Sequence, residues 1–304
     1  AVFDNGAFAW EAGDAIACFQ NFAALNSAET NVLTFMSTSG DGNFSGELPY
    51  TETESDGYYM NFVYPSSVAT RISSKYAGCV EIDFPDQQDG RIEKLGDYFF
   101  STRAKVACSI SEENEQMTIS TNVVFSSAVV GLKVSVPDEY NAEKIQVRGY
   151  RSNGSLRGIA GNGHINANNR QLKGPYSNLS ADVLTISHDD ASLIKGDTYA
   201  CILPFGQNAS TSDVNKIEFK IVSEYGTYTF AKNVLELQRG TIYDLGTFPT
   251  SCITPKFSFD ENGAVVMTSS PAEAKIYYTT DGSDPSAEAT LYEGPVEITA
   301  DTQF

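Results

Sequence analysis

An all-β fold is predicted, and three features of the 304-residue sequence predict it. Apolar residues recur with a period of two along most of the chain, the spacing that gives an extended strand one dry face and one wet face. Clusters rich in Gly, Asn, Asp and Ser, such as SGDGNFSGE (39–47), RSNGS (151–155) and AGNGHINANN (160–169), punctuate those runs with turn chemistry. No long stretch carries the 3.6-residue period of an amphipathic helix, and only 21–33 offers room for a short one.

The strands follow in order. Val80, Ile82 and Phe84 alternate with Glu81 and Asp83, and Val130, Leu132, Val134 and Val136 alternate with Gly131, Lys133 and Ser135. Ile145 and Val147 sit between Lys144, Gln146 and Arg148. Tyr199, Cys201 and Leu203 share a face that ends at Pro204, and Ile217, Phe219 and Ile221 interleave with Lys216, Glu218 and Lys220. Each reads as a half-buried strand of an antiparallel sandwich. Near the end, Ile276, Tyr278 and Thr280 share one face while Tyr277 and Thr279 take the other. Asp281-Gly282-Ser283-Asp284-Pro285-Ser286 then turns the chain before Val296 and Ile298 resume the alternation.

A chain of this length holds about two or three domains, and 41% hydrophobic with 12% aromatic residues is the composition of a folded protein. Ser111-Glu112-Glu113-Asn114-Glu115 is a polar break between two strand-rich halves. The two prolines of Phe248-Pro249-Thr250-Ser251-Cys252-Ile253-Thr254-Pro255 close the second half. The expected division is therefore 1–116, 117–249 and a small module at 250–304.

Charge and cysteines exclude several classes. A formal charge of −19 and a pI near 4.4 argue against nucleic acid as a partner. Cys18, Cys79, Cys108 and Cys201 lie in apolar, strand-like runs and read as buried thiols, while Cys252 falls in the linker. No CxxC pair supports structural zinc. No apolar run reaches the length of a membrane span. The opening AVFDNGAFAW lacks both a basic n-region and a long h-region, so the chain reads as a mature or trimmed form.

Catalytic signatures are missing as well. His164 lies in a Gly/Asn-rich stretch and His188 precedes Asp189-Asp190, so both read as solvated loop residues; neither belongs to a Gly-x-Ser-x-Gly elbow or a His-Glu-x-x-His helix. A glycosidase pair of carboxylates is defined by spatial separation, yet no acid stands in a cleft-like aromatic context. No catalytic residue, cofactor or metal ligand is assigned. Asp41-Gly42-Asn43, Asp189-Asp190 and Asp281 with Asp284 offer oxygen ligands for calcium but fit no EF-hand register, and turn capping explains them better. Tyr277, Tyr278, Asp281 and Asp284 remain as ligand or interface contacts, because an aromatic face beside acceptors is how many sugar sites work. Trp10, the single tryptophan, reads as a core anchor.

Two resemblances attach to particular residues. YYTTDGSDPS (277–286) followed by LYEGPVEIT (291–299) resembles the C-terminal module of chitobiases and β-hexosaminidases. That likeness implies a small immunoglobulin-like accessory sandwich without catalytic groups. Its pattern would run on through one more apolar strand past Asp301-Thr302-Gln303-Phe304. Trp10-Glu11-Ala12-Gly13-Asp14-Ala15-Ile16, leading into Phe19, is similar to the W-x-x-G-D-x-I opening of fimbrillins, the type V pilins of Gram-negative anaerobes. Tyr58 to Pro65, Phe125 to Val136 (with Ser where a His often follows the Phe), Tyr199 to Pro204 and Gly240 to Leu245 resemble later strands of that family.

The second resemblance implies two transthyretin-like antiparallel β-sandwich domains in a surface pilus subunit, exported as a lipoprotein precursor and associated with the outer membrane. It also implies pairing with other pilin subunits by β-strand addition, after loss of a first strand; only nine residues precede Trp10 and the first arginine is Arg71. The expected function is a structural and adhesive fimbrial subunit at a tip or accessory position, not an enzyme, with a host or microbial glycan or protein as a further partner. The alternative is a glycan-binding surface protein of a polysaccharide-uptake system, and a secreted glycoside hydrolase fragment ranks third.

Overall fold

In the computed structural model the described residues are 2–4, 7–20, 33–47, 58–76, 79–113, 116–167, 170–173, 179–203, 213–224, 226–234, 237–249, 255–269, 275–283, 285–286 and 288–298. The period-two runs become strands, and strand pairing is nearly all antiparallel. Among the described residues the one α-helix is the four-residue Leu95–Tyr98. Among the described residues no helix is long and apolar enough to cross a membrane. The segment 21–32, where a short helix had room, lies outside the described residues, as do Cys252, Asp284 and Asp301 to Phe304.

Among the described residues, the first 249 positions hold a two-stranded hairpin, Val2–Asp4 with Ala7–Ala9, and four larger sheets. One runs in the order Gln116–Ser120, Ser101–Glu113, Tyr58–Tyr64, Ala15–Gln20, Leu33–Met36, with Ser126–Ser127 added beside Ser101 and Thr102. A second runs Leu172–Lys173, Gly161–Asn166, Cys79–Phe84, Ala69–Ile72. The third places Val130–Val136 between Gly196–Ile202, antiparallel, and Ile242–Thr247, parallel. The fourth runs Gly226–Asn233, Lys216–Ser223, Ala142–Tyr150, Leu184–Ile186, Gln87–Gln88. Strands from before and after residue 116 therefore share sheets. Ser111 to Glu113, the described part of the expected polar break, belong to the Ser101–Glu113 strand and pair with Gln116 to Thr118.

Most of the core is one cluster, from Ala17 and Phe19 through Val80, Phe84, Leu132, Ile145 and Ile217 to Phe248. Its aromatic end packs Phe219, Phe230 and Phe248 at ring separations of 5.1 to 6.5 Å, close enough for stacking to add to apolar burial. A second cluster, Ile16, Cys18, Met60, Phe62 and Tyr64, lies on the opposite face of the first sheet, as alternation along Ala15–Gln20 requires. Cys18, Cys79 and Cys201 are buried, as expected, and burial pushes the Cys201 thiol well above its ordinary range.

Two strands depart from expectation. Gly196–Ile202 was expected to be wet on one face, but Ala200 and Ile202 are buried as fully as Cys201. Gln88 reaches in to close its backbone: Cys201 N–H donates to Gln88 Oε1 at 2.8 Å, and Gln88 Nε2 donates to Cys201 O at 2.8 Å. The Gly/Asn-rich stretch at 160–169, read as a turn cluster, contains the Gly161–Asn166 strand, which pairs with Cys79–Phe84 along its whole length. Glycine is needed there because the Leu179–Ala181 segment crosses closely. A Cβ at Gly163 would lie 2.7 Å from Leu179 Cδ2, and one at Gly161 (φ +82°) would meet Ser180 Oγ.

The C-terminal segment forms two short hairpins, Lys256–Phe259 with Val265–Thr268 and Tyr277–Tyr278 with Thr290–Leu291. A bridge between Val265 and Val296 joins their surroundings. Val265, Met267 and Ile276 make a small core of their own, with Tyr278, Tyr292 and Val296 packed against it.

Candidate interaction cleft

The W-E-A-G-D turn is locked from several sides. Gly13, at φ +95°, takes a conformation that favours glycine, and Asp14 Oδ2 accepts the Glu11 N–H at 2.7 Å. Gly13 N–H donates to Ser37 O and Ser37 N–H to Asp14 O, both at 2.8 Å. The loop after Ser37 lies on this turn so closely that a Cβ at Gly40 would come within 2.8 Å of Ala12 N. The turn thereby fixes Trp10, whose ring meets Phe44, Tyr64 and Phe125 edge-on at 5.0, 4.9 and 6.0 Å. Tyr64 donates its hydroxyl hydrogen to Asp14 Oδ1 at 3.2 Å. Burial first, then the charge of Asp14, drives the Tyr64 phenol far above its normal range, so it stays a donor at any ordinary pH.

Trp10 and Tyr64 border a cleft of about 620 Å³, with Phe8, Phe99 and Phe125 as its other aromatic walls. That volume lies in the range of small-molecule sites. The rest of the lining is Ser101, Ser127 and the run Gly240-Thr241-Ile242. Ser127 is there because it pairs with Ser101 in register. The 240–242 run is there because Gly240 N–H donates to Val129 O at 2.8 Å and Gly131 N–H to Thr241 O at 2.9 Å. Trp10 is thus an anchor, as expected, and also a cleft wall, which was not. Its partners come from distant segments, so only the motif around it carried a signal in the sequence.

The residues singled out near the C-terminus are arranged differently. Tyr278 packs on the module's small core, as the alternation with Ile276 predicted, while Tyr277 is half-exposed and pairs with Leu291. Asp281 Oδ1 accepts both the Ser283 N–H at 3.0 Å and the Ser283 hydroxyl at 2.6 Å, and these bonds hold its carboxyl below the usual range. It caps its own turn. Asp284 lies outside the described residues.

The other acids read as calcium candidates are likewise engaged in turns. Asp41 takes the Asn43 backbone N–H at 3.0 Å and the Asn43 amide at 2.8 Å, which lowers its pKa to about 2. Asp190 is bound by Ser192 and by Arg91 at 2.8 Å, and Arg91 also meets the fully buried Asp89 at 3.1 Å. Among the described residues no group of three or more potential ligands could hold a metal ion.

His164 is not the solvated loop residue expected. It lies on the Gly161–Asn166 strand, half-buried, with Ser73 Oγ 3.1 Å from Nδ1 and Glu81 Oε1 3.9 Å from the same nitrogen. A nucleophile–base–acid relay needs its serine and acid on opposite ring nitrogens. Moreover Ser73 Oγ already accepts the Lys75 and Tyr76 N–H groups at 3.2 and 3.1 Å. The geometry is that of a turn cap. His188, in its loop, has Nδ1 2.9 Å from Ser192 Oγ.

The fold and the cleft define an all-β protein of antiparallel sheets carrying a separate small C-terminal module. Residues 255–304 match the family model of the chitobiase/beta-hexosaminidase C-terminal domain, in agreement with the resemblance read from 277–299. No curated protein matches the chain. Among solved structures it is similar to a candidate cell adhesion protein from Bacteroides ovatus, at 15% identity and a TM-score of 0.43, covering 89% of this chain and 88% of that one. A second likeness, to a fimbrial protein from Bacteroides ovatus at 12% identity and a TM-score of 0.34, covers 86% of this chain and 49% of that one, about half its length. A third is to a candidate cell adhesion protein from Bacteroides fragilis, at 14% identity and a TM-score of 0.36, covering 88% and 90%.

Proposed function

We propose that this chain is a structural and adhesive subunit of a surface fimbria, placed at a tip or accessory position and joined to its neighbours by strand addition. The observation that carries the reading is the Trp10 to Ile16 turn, a fimbrillin-like motif seated as an anchor at the head of an antiparallel sheet. An open edge supplies the assembly chemistry. Among the described residues no strand lies beyond Gly226–Asn233, whose eight residues span about 27 Å at strand rise. An unpaired edge offers a row of N–H and C=O groups to an incoming strand.

The proposal includes two sandwiches at 1–116 and 117–249 and the module at 250–304; Ala69 to Gln88 would then pack in space with the second. It also includes export as a lipoprotein precursor to the outer membrane. The test is polymerisation. A form extended by the leader-proximal strand is expected to stay monomeric, and the form beginning at Ala1 to accept a donor strand. Identical behaviour of the two would refute strand addition, and imaging that found this subunit repeated along whole shafts would refute the tip or accessory position.

One observation favours a second reading, a glycan-binding protein of an uptake system: Tyr277 lies outside the small core of the module and is half-exposed. A glycan array on the full chain, compared with Tyr277→Ala, separates the readings. Specific binding lost in that variant would favour the second. Turnover of chromogenic glycosides at a robust rate would overturn the non-enzymatic reading altogether.

A further inference from the structure

The aromatic cleft carries rings and hydroxyls but no charge. Ten described residues line it: five are aromatic and three are Ser or Thr, and none bears a carboxylate, ammonium, guanidinium or imidazole group. A charged ligand held there would lose water without gaining a counter-charge from the lining. An anion meets a further obstacle. The Tyr64 hydroxyl in the wall is bonded to the Asp14 carboxylate at 3.2 Å, in a chain of formal charge −19. The lining therefore selects an uncharged ligand.

Ring surface is left open for it. Phe8 arrives on the hairpin of Val2–Asp4 and Ala7–Ala9, which joins no larger sheet and would be marginal by itself. Its ring rests on Phe99 at a centroid separation of 3.9 Å, yet Phe8 stays 38% exposed. Trp10 also remains partly exposed after meeting Phe44, Tyr64 and Phe125. Hydroxyls stand beside these rings. A Cβ at Gly240 would lie 3.4 Å from that of Ser127, so Thr241, next in the chain, adjoins Ser127 in the lining. Among the described residues the Thr241 hydroxyl has no hydrogen-bond partner, and Tyr64, whose hydrogen goes to Asp14, keeps its oxygen lone pairs as acceptors.

An uncharged ligand that is apolar on its faces and hydroxylated at its rim satisfies both sets of groups, and a pyranose ring has that form. We infer that the cleft is a binding site for a neutral saccharide, with a sugar ring against Phe8 and Trp10 and its hydroxyls at Thr241 and Tyr64. The inference rests on the adhesive part of the proposed function and gives that adhesion a ligand class and a place. It uses neither the Gly226–Asn233 edge nor the C-terminal module. Its failure therefore leaves the polymerisation test untouched, and failure of strand addition leaves the cleft to be tested by itself.

Trp10 is the chain's single tryptophan and reports directly on the cleft. The experiment titrates the full chain at pH 7 with maltotriose, cellotriose, xylotriose and mannotriose, and separately with trigalacturonate and with tetramethylammonium, following Trp10 emission. At least one neutral trisaccharide is expected to give a saturable change that is the same in 1 M salt, because no charge is involved. Phe8→Ala is expected to weaken that binding about tenfold through the lost ring contact. Thr241→Val should weaken it about fivefold through the lost hydroxyl, and Thr241→Ser less. Circular dichroism checks that the variants fold, and calorimetry repeats the titration without relying on the tryptophan signal. Four results would each overturn the inference: no neutral trisaccharide binds; trigalacturonate or tetramethylammonium binds as tightly; both cleft variants bind like the parent; or binding is lost in Tyr277→Ala and kept in the cleft variants, which would put the sugar on the C-terminal module.

Discussion

Arg157 is fully buried, and its charge is met by Asp213, whose Oδ1 and Oδ2 lie 2.9 and 2.8 Å from Nε. Burial lowers the Arg157 pKa and Asp213 opposes that shift. Removing the acid with Asp213→Ala leaves a guanidinium in the core without its carboxylate. Breaking a buried pair in this way costs about 3–5 kcal/mol. Asp213 is 31% exposed, and water admitted through its place would resolvate part of the charge, so about 2–3 kcal/mol is expected here. Urea unfolding at pH 7 measures it as a lower midpoint at unchanged slope. Arg157→Met with Asp213→Leu removes both charges together and should recover most of the loss, because an apolar pair of similar size carries no desolvation penalty. A single variant within about 0.5 kcal/mol of the parent, or a double variant no better than the single, would refute this account of the pair.

Three further outcomes are expected. In Gly158→Ala the new methyl would collide with the Leu179 carbonyl oxygen, a backbone atom with little freedom, and should cost about 1–3 kcal/mol in thermal or urea unfolding. Tyr64→Phe removes the hydroxyl bonded to Asp14 and should cost about 1 kcal/mol, with a shift in Trp10 emission because the two rings touch edge-on. Hydrogen bonds from Ser192 and then Arg91 depress the carboxyl of Asp190. Such a group stabilises fully above its unfolded pKa and loses that contribution as pH falls through the folded one. The contact of Arg91 with the 190–192 turn should therefore persist from pH 7 to 5 and open only in strong acid. Amide exchange at Ser192 follows it, and Asp190→Asn should show faster exchange already at pH 7.

Where the sequence was legible, burial and period agreed. Lys216–Ser223 alternates buried and half-buried residues along its whole length, so its face could be read directly. Gly161–Asn166 was not legible, since its glycines serve a crossing segment and leave no apolar period. Two parallel pairings, Ile242–Thr247 beside Val130–Val136 and Gln87–Gln88 beside Leu184–Ile186, depend on partners far apart in the chain, and no local pattern encodes them. Buried polar groups are hidden for the same reason: nothing local marks Gln88 or Arg157 as buried, since Cys201 and Asp213, which meet them, lie far along the chain. In the site, the Trp10 motif was visible, whereas Phe99, Phe125 and the 240–242 wall reach it only through long-range pairing.

The same topology keeps the aromatic cleft apart from the Gly226–Asn233 edge. The Gly226–Asn233 edge belongs to the sheet of Lys216–Ser223 and Ala142–Tyr150, and the cleft draws no wall from those strands. A donor strand that adds to that edge would therefore extend one sheet while Trp10 and the cleft keep their surroundings. Polymerisation of the parent chain should leave Trp10 emission unchanged, and Tyr64→Phe should polymerise at the parent's rate. Were emission to shift on strand addition, or were the Tyr64 variant to alter assembly, the two surfaces would be coupled through the shared core, and the cleft would have to be read as part of the subunit joint.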